Sequence, residues 1–244
     1  MARIAPSILS ADFACLGDAI DQVEPAADLL HVDVMDGHFV PNLSIGPPVV
    51  ASIRHHTDMY LDCHLMMTNP GQYLEAFRRA GADGCSVHVE VNETQSLIDQ
   101  MRGLGLDAGL AVNPETPFEA FAPWLDQLDL ILIMTVHPGF GGQPFMREVV
   151  PKIRRTREEI DRRGLAVAIE VDGGIDVDTA PQAAEAGASV FVAGSAVFGS
   201  PDPAAAAGAI REAADRASRK GPAEPADPDT GRSPASVANS EGRT

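Results

Sequence analysis

Cysteine is scarce in this chain, and the scarcity excludes two architectures. Three cysteines, Cys15, Cys63 and Cys85, are scattered through 244 residues, odd in number and never spaced C-x-x-C. That pattern supplies neither a disulfide framework nor a structural zinc knot, and buried reduced thiols are expected instead. Long apolar runs are missing as well. No stretch reaches the roughly 18 apolar residues needed to span a bilayer, and Met1-Ala-Arg-Ile-Ala-Pro6 lacks the apolar core of a secretory signal. A cytoplasmic protein with no membrane partner is expected. Positive charge is also in short supply: 18 Lys and Arg stand against 35 Asp and Glu, a formal net charge of −17. Nucleic acid and anionic membrane, which require clustered cations, are poor partners for such a chain. A small phosphorylated molecule needs only a local set of donors and is not excluded.

What the chain does contain is a repeating alternation of apolar runs and helical patterns. Strands are expected at 4–9, 29–35, 60–66, 84–90, 107–112, 129–136, 166–171 and 189–193. Ser10 and Asp12 offer caps for a first helix in which Phe13, Leu16, Ile20 and Val23 recur at helical spacing. Further helices are expected at 46–56, 70–80, 93–104, a weaker one at 118–125, a long one through Val150, Ile153 and Ile160, then 179–186 and 203–218. Such an order implies βαβ units and a parallel sheet. A run such as Leu-Ile-Leu-Ile-Met, 130–134, suits a strand buried on both faces. A doubly wound sheet would fit the count. The polar clusters, however, fall where strands give way to loops, which is the habit of the (β/α)8 TIM barrel. A single phosphate-binding barrel over 1–220 is the fold expected. From 221 to 244 the chain turns to Pro, Ala, Ser, Asp and Gly, and a disordered tail is expected there.

Three of those junctions carry metal-binding residue types. In His31-Val-Asp-Val-Met-Asp-Gly37, strand alternation puts His31, Asp33 and Met35 on one face and Val32 and Val34 on the other. His64, in Asp62-Cys-His-Leu-Met66, repeats the pattern, and Asp172, in Glu170-Val-Asp-Gly-Gly-Ile175, adds a third polar strand end. Burying such groups without partners costs on the order of 1–3 kcal/mol each, so their convergence calls for a ligand. Two imidazoles and two carboxylates suit Zn, Mn, Fe or Co better than Mg or Ca. One divalent ion per subunit, held by His31, Asp33, His64 and Asp172, is expected.

Glycine-rich junctions follow the late strands: Pro138-Gly-Phe-Gly-Gly-Gln143, Gly173-Gly174 and Gly194-Ser195. Each by itself reads as a tight turn. Together, with the last two following strands seven and eight, they read as a phosphate cradle. The loop at 139–142 also reads as a mobile lid. Met35, Met66 and Met134 stand at or near strand ends, where two readings apply: core filling, or a water-excluding wall beside a reactive intermediate. His38, His55 and His56 read as loop or surface residues. His88 faces the barrel interior with no partner that can be named, and His137 is left unassigned.

Pro6-Ser-Ile-Leu-Ser-Ala-Asp12, His31-Val-Asp-Val-Met-Asp-Gly37, Phe39-Val-Pro-Asn42, His64-Leu-Met66, Pro138-Gly-Phe-Gly-Gly-Gln143, Val171-Asp-Gly-Gly-Ile175 and Ala193-Gly-Ser-Ala-Val-Phe198 resemble the ribulose-phosphate 3-epimerase family. The resemblance covers roughly residues 2–215, with the motifs in order, and leaves out the tail. It implies a metal-dependent epimerase of the pentose phosphate pathway that interconverts D-ribulose 5-phosphate and D-xylulose 5-phosphate through an enediolate. It further implies Asp33 as proton acceptor and Asp172 as proton donor. Ser7, His64, Gly139, Phe140, Gly141, Gly142, Asp172, Gly173, Gly174, Gly194 and Ser195 would hold the sugar phosphate, with Met35, Met66 and Met134 lining the enediolate. A homo-oligomer is expected from apolar helix faces. An epimerase of a hexulose 6-phosphate is the nearest alternative. A related lyase or decarboxylase would place a lysine at a strand tip, where this chain has none; a non-catalytic phosphate-binding regulator would lack part of the acid/base or metal set.

Overall fold

The computed structural model describes residues 1–219; the tail expected at 221–244 lies outside the described residues. Eight strands, β1 (Arg3–Pro6), β2 (Leu29–Met35), β3 (Tyr60–Met66), β4 (Gly84–His88), β5 (Asp107–Val112), β6 (Leu130–Met134), β7 (Ala168–Asp172) and β8 (Val190–Ala193), alternate with helices. They pair in parallel in the order β1-β8-β7-β6-β5-β4-β3-β2. The two ends of this sheet then meet. Ser7 bridges His31 in parallel, the Ile4 N–H donates to the Asp28 carboxylate at 2.7 Å, and the Asp28 N–H donates to the Ile4 carbonyl at 2.9 Å. The chain is a (β/α)8 barrel, as the polar clusters at the strand ends implied.

β6 shows why its sequence is apolar throughout. Ile131 and Ile133 join the large core between the sheet and the helices, while Leu132 and Met134 cluster with Ala111 and Val136 inside the barrel. Both faces are buried, so neither tolerates a polar side chain. β2 divides its faces differently: Val32 and Val34 pack outward into the same large core, leaving His31, Asp33 and Met35 for the interior. The last helix, Pro203–Ser218, starts where expected because the Asp202 side chain accepts from the Ala205 N–H.

Four expectations need correction. The first strand stops at Pro6 rather than at residue 9, because the Ser7 hydroxyl accepts from the Leu9 N–H and turns the chain into a 3-10 turn, Ile8–Ser10. The weak helix expected at 118–125 is two 3-10 pieces, Phe118–Ala120 and Ala122–Gln127, and Pro123 in the first turn of the second allows no continuous α-helix across the junction. The helix expected at 70–80 likewise opens as a 3-10 turn, Pro70–Gln72, before Leu74–Ala80. Cys63 and Cys85 are buried, opposite each other on β3 and β4, but Cys15 is exposed, since it ends a surface 3-10 turn before the first α-helix.

Candidate active site

Strand register assembles the site. In the β2–β3 pairing His31 stands opposite Asp62, and Asp33 opposite His64; Asp172 ends β7 across the barrel. Parallel strands of one barrel thus bring His31, Asp33, His64 and Asp172 together, with one ligand atom from each within 4.8 Å of all the others. His64 Nδ1 lies 3.3 Å from Asp33 Oδ1 and 3.8 Å from Asp172 Oδ2. His31 Nε2 lies 3.6 Å from Asp33 Oδ1 and 4.0 Å from Asp172 Oδ2. Among the described residues these two ring nitrogens are buried without a hydrogen-bond partner. Orphaned buried nitrogens are costly, and lone pairs converging with two carboxylates are what a divalent ion of the Zn, Mn, Fe or Co group takes. The four residues can hold a metal ion.

Above them opens a cavity of about 650 Å³. Its walls include Ser7, Met35, Met66, Met134, Gly139, Phe140, Gly141, Gly142, Gly173, Gly174, Gly194 and Ser195, and both Asp33 and Asp172 reach it. His31 and His64 do not line it; they are fully buried beneath its floor. The three methionines are buried as well as cavity-lining, so core filling and wall building are one placement. Gly173 (φ +119°) and Gly174 (φ +65°) adopt backbone that other residues rarely take, and a Cβ on Gly174 would fall 2.4 Å from the Phe145 nitrogen. Glycine there lets the ends of β7 and the 137–145 segment close on each other. The Asn42 side chain, donating to the Gly139 carbonyl at 2.9 Å, ties the loop after β2 to the glycine loop. His137, exposed, pairs with Glu115 at 3.3 Å and belongs to the rim.

Three carboxylates and one histidine around the site escape a reading by strand ends alone. Asp62 Oδ2 sits 2.8 Å from His31 Nδ1, and Glu170 Oε1 lies 3.6 Å from the same nitrogen. Both stand two residues before a motif residue, on the same strand face, and one further step of alternation points to them. His88 does face inward, with Nε2 at 2.8 Å from His64 Nε2 and Nδ1 at 3.1 Å from Glu90 Oε2. Glu90, expected to end the fourth strand, lies instead just past β4, in the 3-10 turn Val89–Val91.

A family model described as Ribulose-phosphate 3 epimerase family matches residues 3–198. The Bacillus subtilis protein named Ribulose-phosphate 3-epimerase is 50% identical over 217 residues, covering 86% of this chain and 99% of its own. The Synechocystis protein of the same name is 53% identical over 212 residues, 85% of this chain and 92% of its own. A rice protein named Ribulose-phosphate 3-epimerase, cytoplasmic isoform, is 46% identical over 225 residues, covering 90% and 97%. The chain belongs to the ribulose-phosphate 3-epimerase family. Solved structures resemble this epimerase-family chain in fold alone: 3-hexulose-6-phosphate synthase from Salmonella typhimurium (TM-score 0.66, 18% identity, 88% of this chain and 99% of that one), and 3-keto-L-gulonate-6-phosphate decarboxylase from Vibrio cholerae (TM-score 0.64, 17%, 88% and 97%). No helix among the described residues is long and apolar enough to cross a membrane.

The carboxyls of the two aspartates of this family member are shifted in opposite directions. Burial disfavours a charge on Asp33, but the neighbouring imidazoles His31 and His64 outweigh it and hold the carboxyl below the usual range. Burial, reinforced by the charge of Asp33, pushes Asp172 up to about 7. Burial lowers His64 to about 4, whereas for His31 the surrounding carboxylates, Asp33 foremost, overcome burial and raise it well above 6.5. Glu170, buried and beside the charge of Asp62, is raised to about 8.

Proposed function

We propose that this chain interconverts D-ribulose 5-phosphate and D-xylulose 5-phosphate by moving the C3 proton, as a metal-dependent step of the pentose phosphate pathway. The observation that carries the reading is the one cluster in which Asp33 and Asp172, from strands on different parts of the barrel, reach one cavity above two imidazole nitrogens that have no hydrogen-bond partner among the described residues. The curated relatives of about half identity carry the name of that activity. His31, Asp33, His64 and Asp172 would hold the divalent ion. When bound, it supplies the positive charge that polarises the C2 ketone and stabilises negative charge on oxygen.

Asp33, ionised, takes the C3 proton from one face of the sugar. The electron pair left behind moves to the ketone oxygen, giving an enediolate that is planar at C3. Asp172, whose carboxyl burial pushes up to about 7, returns a proton to the opposite face and inverts the centre; in the reverse direction the roles exchange. Ser7 donates to Asp33 Oδ2 at 2.5 Å, fixing the carboxylate and stabilising its charged form. Met35, Met66 and Met134 wall the reacting carbon from water, and the 139–142 loop with Gly173, Gly174, Gly194 and Ser195 receives the phosphate. The same compartment as the rice isoform, the cytoplasm, is proposed for this chain.

The test is NMR of D-ribulose 5-phosphate with the protein in D2O, with and without a chelator. Xylulose 5-phosphate should appear with deuterium at C3, and the chelator should suppress it. Absence of exchange at C3 would overturn the pentulose assignment and direct the same assay to a hexulose 6-phosphate; exchange indifferent to thorough chelation would overturn the metal requirement.

A further inference from the structure

We infer that His88 and Glu90 are positioning residues: a relay that keeps the proton of His64 on Nε2, so that its Nδ1 is the lone pair offered to the divalent ion. The inference rests on the metal-dependent reading above. His64 is fully buried, and its Nδ1 has no hydrogen-bond partner among the described residues while it faces Asp33 and Asp172. An imidazole nitrogen is a ligand only when it carries no proton, so something must hold the proton at the far side of the ring.

The far side is occupied. His64 Nε2 and His88 Nε2 are 2.8 Å apart, a distance that requires one proton between them. The ring centroids are 5.0 Å apart and the planes differ by 27°, so the two imidazoles meet edge to edge through these nitrogens, and Phe39 packs against His88 with centroids 4.6 Å apart. Ownership of the proton is decided one link further out. His88 Nδ1 is 3.1 Å from Glu90 Oε2. The other oxygen, Oε1, accepts from the Asn113 N–H at 2.9 Å and from the Thr116 hydroxyl. Two donors on Oε1 favour Glu90 as an ionised carboxylate, which leaves Oε2 as an acceptor. A carboxylate facing Nδ1 places a proton there, which leaves His88 Nε2 as the acceptor and makes His64 Nε2–H the donor. His31 has a shorter arrangement, with the Asp62 carboxylate directly on its Nδ1. The two ring ligands are thus backed differently, one by a carboxylate and one by a carboxylate acting through a second imidazole.

Glu90→Gln reverses the relay. Asn113 and Thr116 still demand the side-chain oxygen, so the amide NH2 turns to His88 Nδ1. The proton of His88 moves to Nε2, and that of His64 to Nδ1, the position a metal needs vacant. Two-bond 15N–1H NMR of the metal-free protein should show His64 changing from the Nε2–H to the Nδ1–H form. Mn2+ affinity, read by chelator competition, should fall roughly 10- to 100-fold, the usual effect of losing an outer partner of a ligand. His88→Gln, whose amide oxygen can stand where Nε2 stood, should bind Mn2+ within a few-fold of the wild type, whereas His88→Leu should lose the same order as Glu90→Gln. A folded Glu90→Gln with an unchanged His64 tautomer and wild-type Mn2+ affinity overturns the relay. Should circular dichroism show Glu90→Gln unfolded, the two His88 variants decide, and equal affinities for Gln and Leu overturn it. The tautomer is read without metal or substrate, so a wild type that binds Mn2+ but exchanges nothing at C3 refutes the epimerase reading and leaves the relay to its own result.

Discussion

Replacing Gly173 with alanine should damage both stability and substrate binding, and the structure says by how much. Its φ of +119° lies where side-chain-bearing residues are strained, at a cost of about 1–2 kcal/mol. The new Cβ would stand 2.4 and 2.6 Å from the two methyl carbons of buried Val136 and 2.8 Å from its Cβ, where ordinary contact begins near 3.4 Å. The backbone cannot easily retreat: Thr135 donates its hydroxyl to the Gly173 carbonyl at 2.6 Å and its N–H to the Asp172 carbonyl at 2.7 Å. Overpacking of this kind costs about 1–3 kcal/mol. Together the two effects amount to about 2–5 kcal/mol, or a melting temperature lowered by about 4–20 °C for a chain of this size. Calorimetry of Gly173→Ala and of Gly173→Ala with Val136→Ala separates them. The second substitution removes the two methyl clashes but leaves the strained φ and the 2.8 Å approach to the Cβ at position 136, so only part of the loss should return. Because the segment lines the cavity, KM for the sugar phosphate should rise in the single variant. A Gly173→Ala protein that melts with the wild type and keeps its KM would refute the argument.

Other predictions concern single contacts. Ser7→Ala leaves Asp33 without a charge-assisted donor worth about 1.5–3 kcal/mol, so kcat/KM in the coupled epimerase assay should drop by about 10- to 150-fold; an unchanged value would separate Ser7 from the reaction. Asp33→Asn and Asp172→Asn should each nearly abolish turnover while far-UV circular dichroism stays native; substantial activity in either removes the two-carboxylate scheme. Asn42→Ala frees the glycine loop from its anchor at Gly139, which should raise KM more than it lowers kcat in steady-state kinetics. Burial opposes the charge of Glu90, yet bonds from His88, Thr116 and Asn113 hold its carboxyl at about 2 against a usual 4.5. Its stabilisation is therefore fully present above 4.5 and is lost as pH falls toward 2. Thermal melts should show Glu90→Gln destabilised at neutral pH and converging on the wild type across that acid window.

The fold was legible because its signals are local. Eight apolar runs alternating with helical patterns repeat one βαβ unit, and strand alternation alone puts His31, Asp33 and Met35 on one face. Residue chemistry alone likewise marked His31, Asp33, His64 and Asp172 as a set, since each is a polar side chain facing the interior of an apolar strand. The structure decided what needs register and closure. That His31 stands beside Asp62 and Asp33 beside His64 follows from how β2 pairs with β3. That Glu90 reaches His88, Thr116 and Asn113 follows from how the turn after β4 packs against the end of β5. Boundaries at Pro6 and in the 118–127 segment also depended on one side-chain cap and one proline too local for periodicity to weigh. Periodicity reports which face a residue occupies; only the closed barrel says which neighbour it meets there, and with it whether an imidazole holds its proton on one nitrogen or the other.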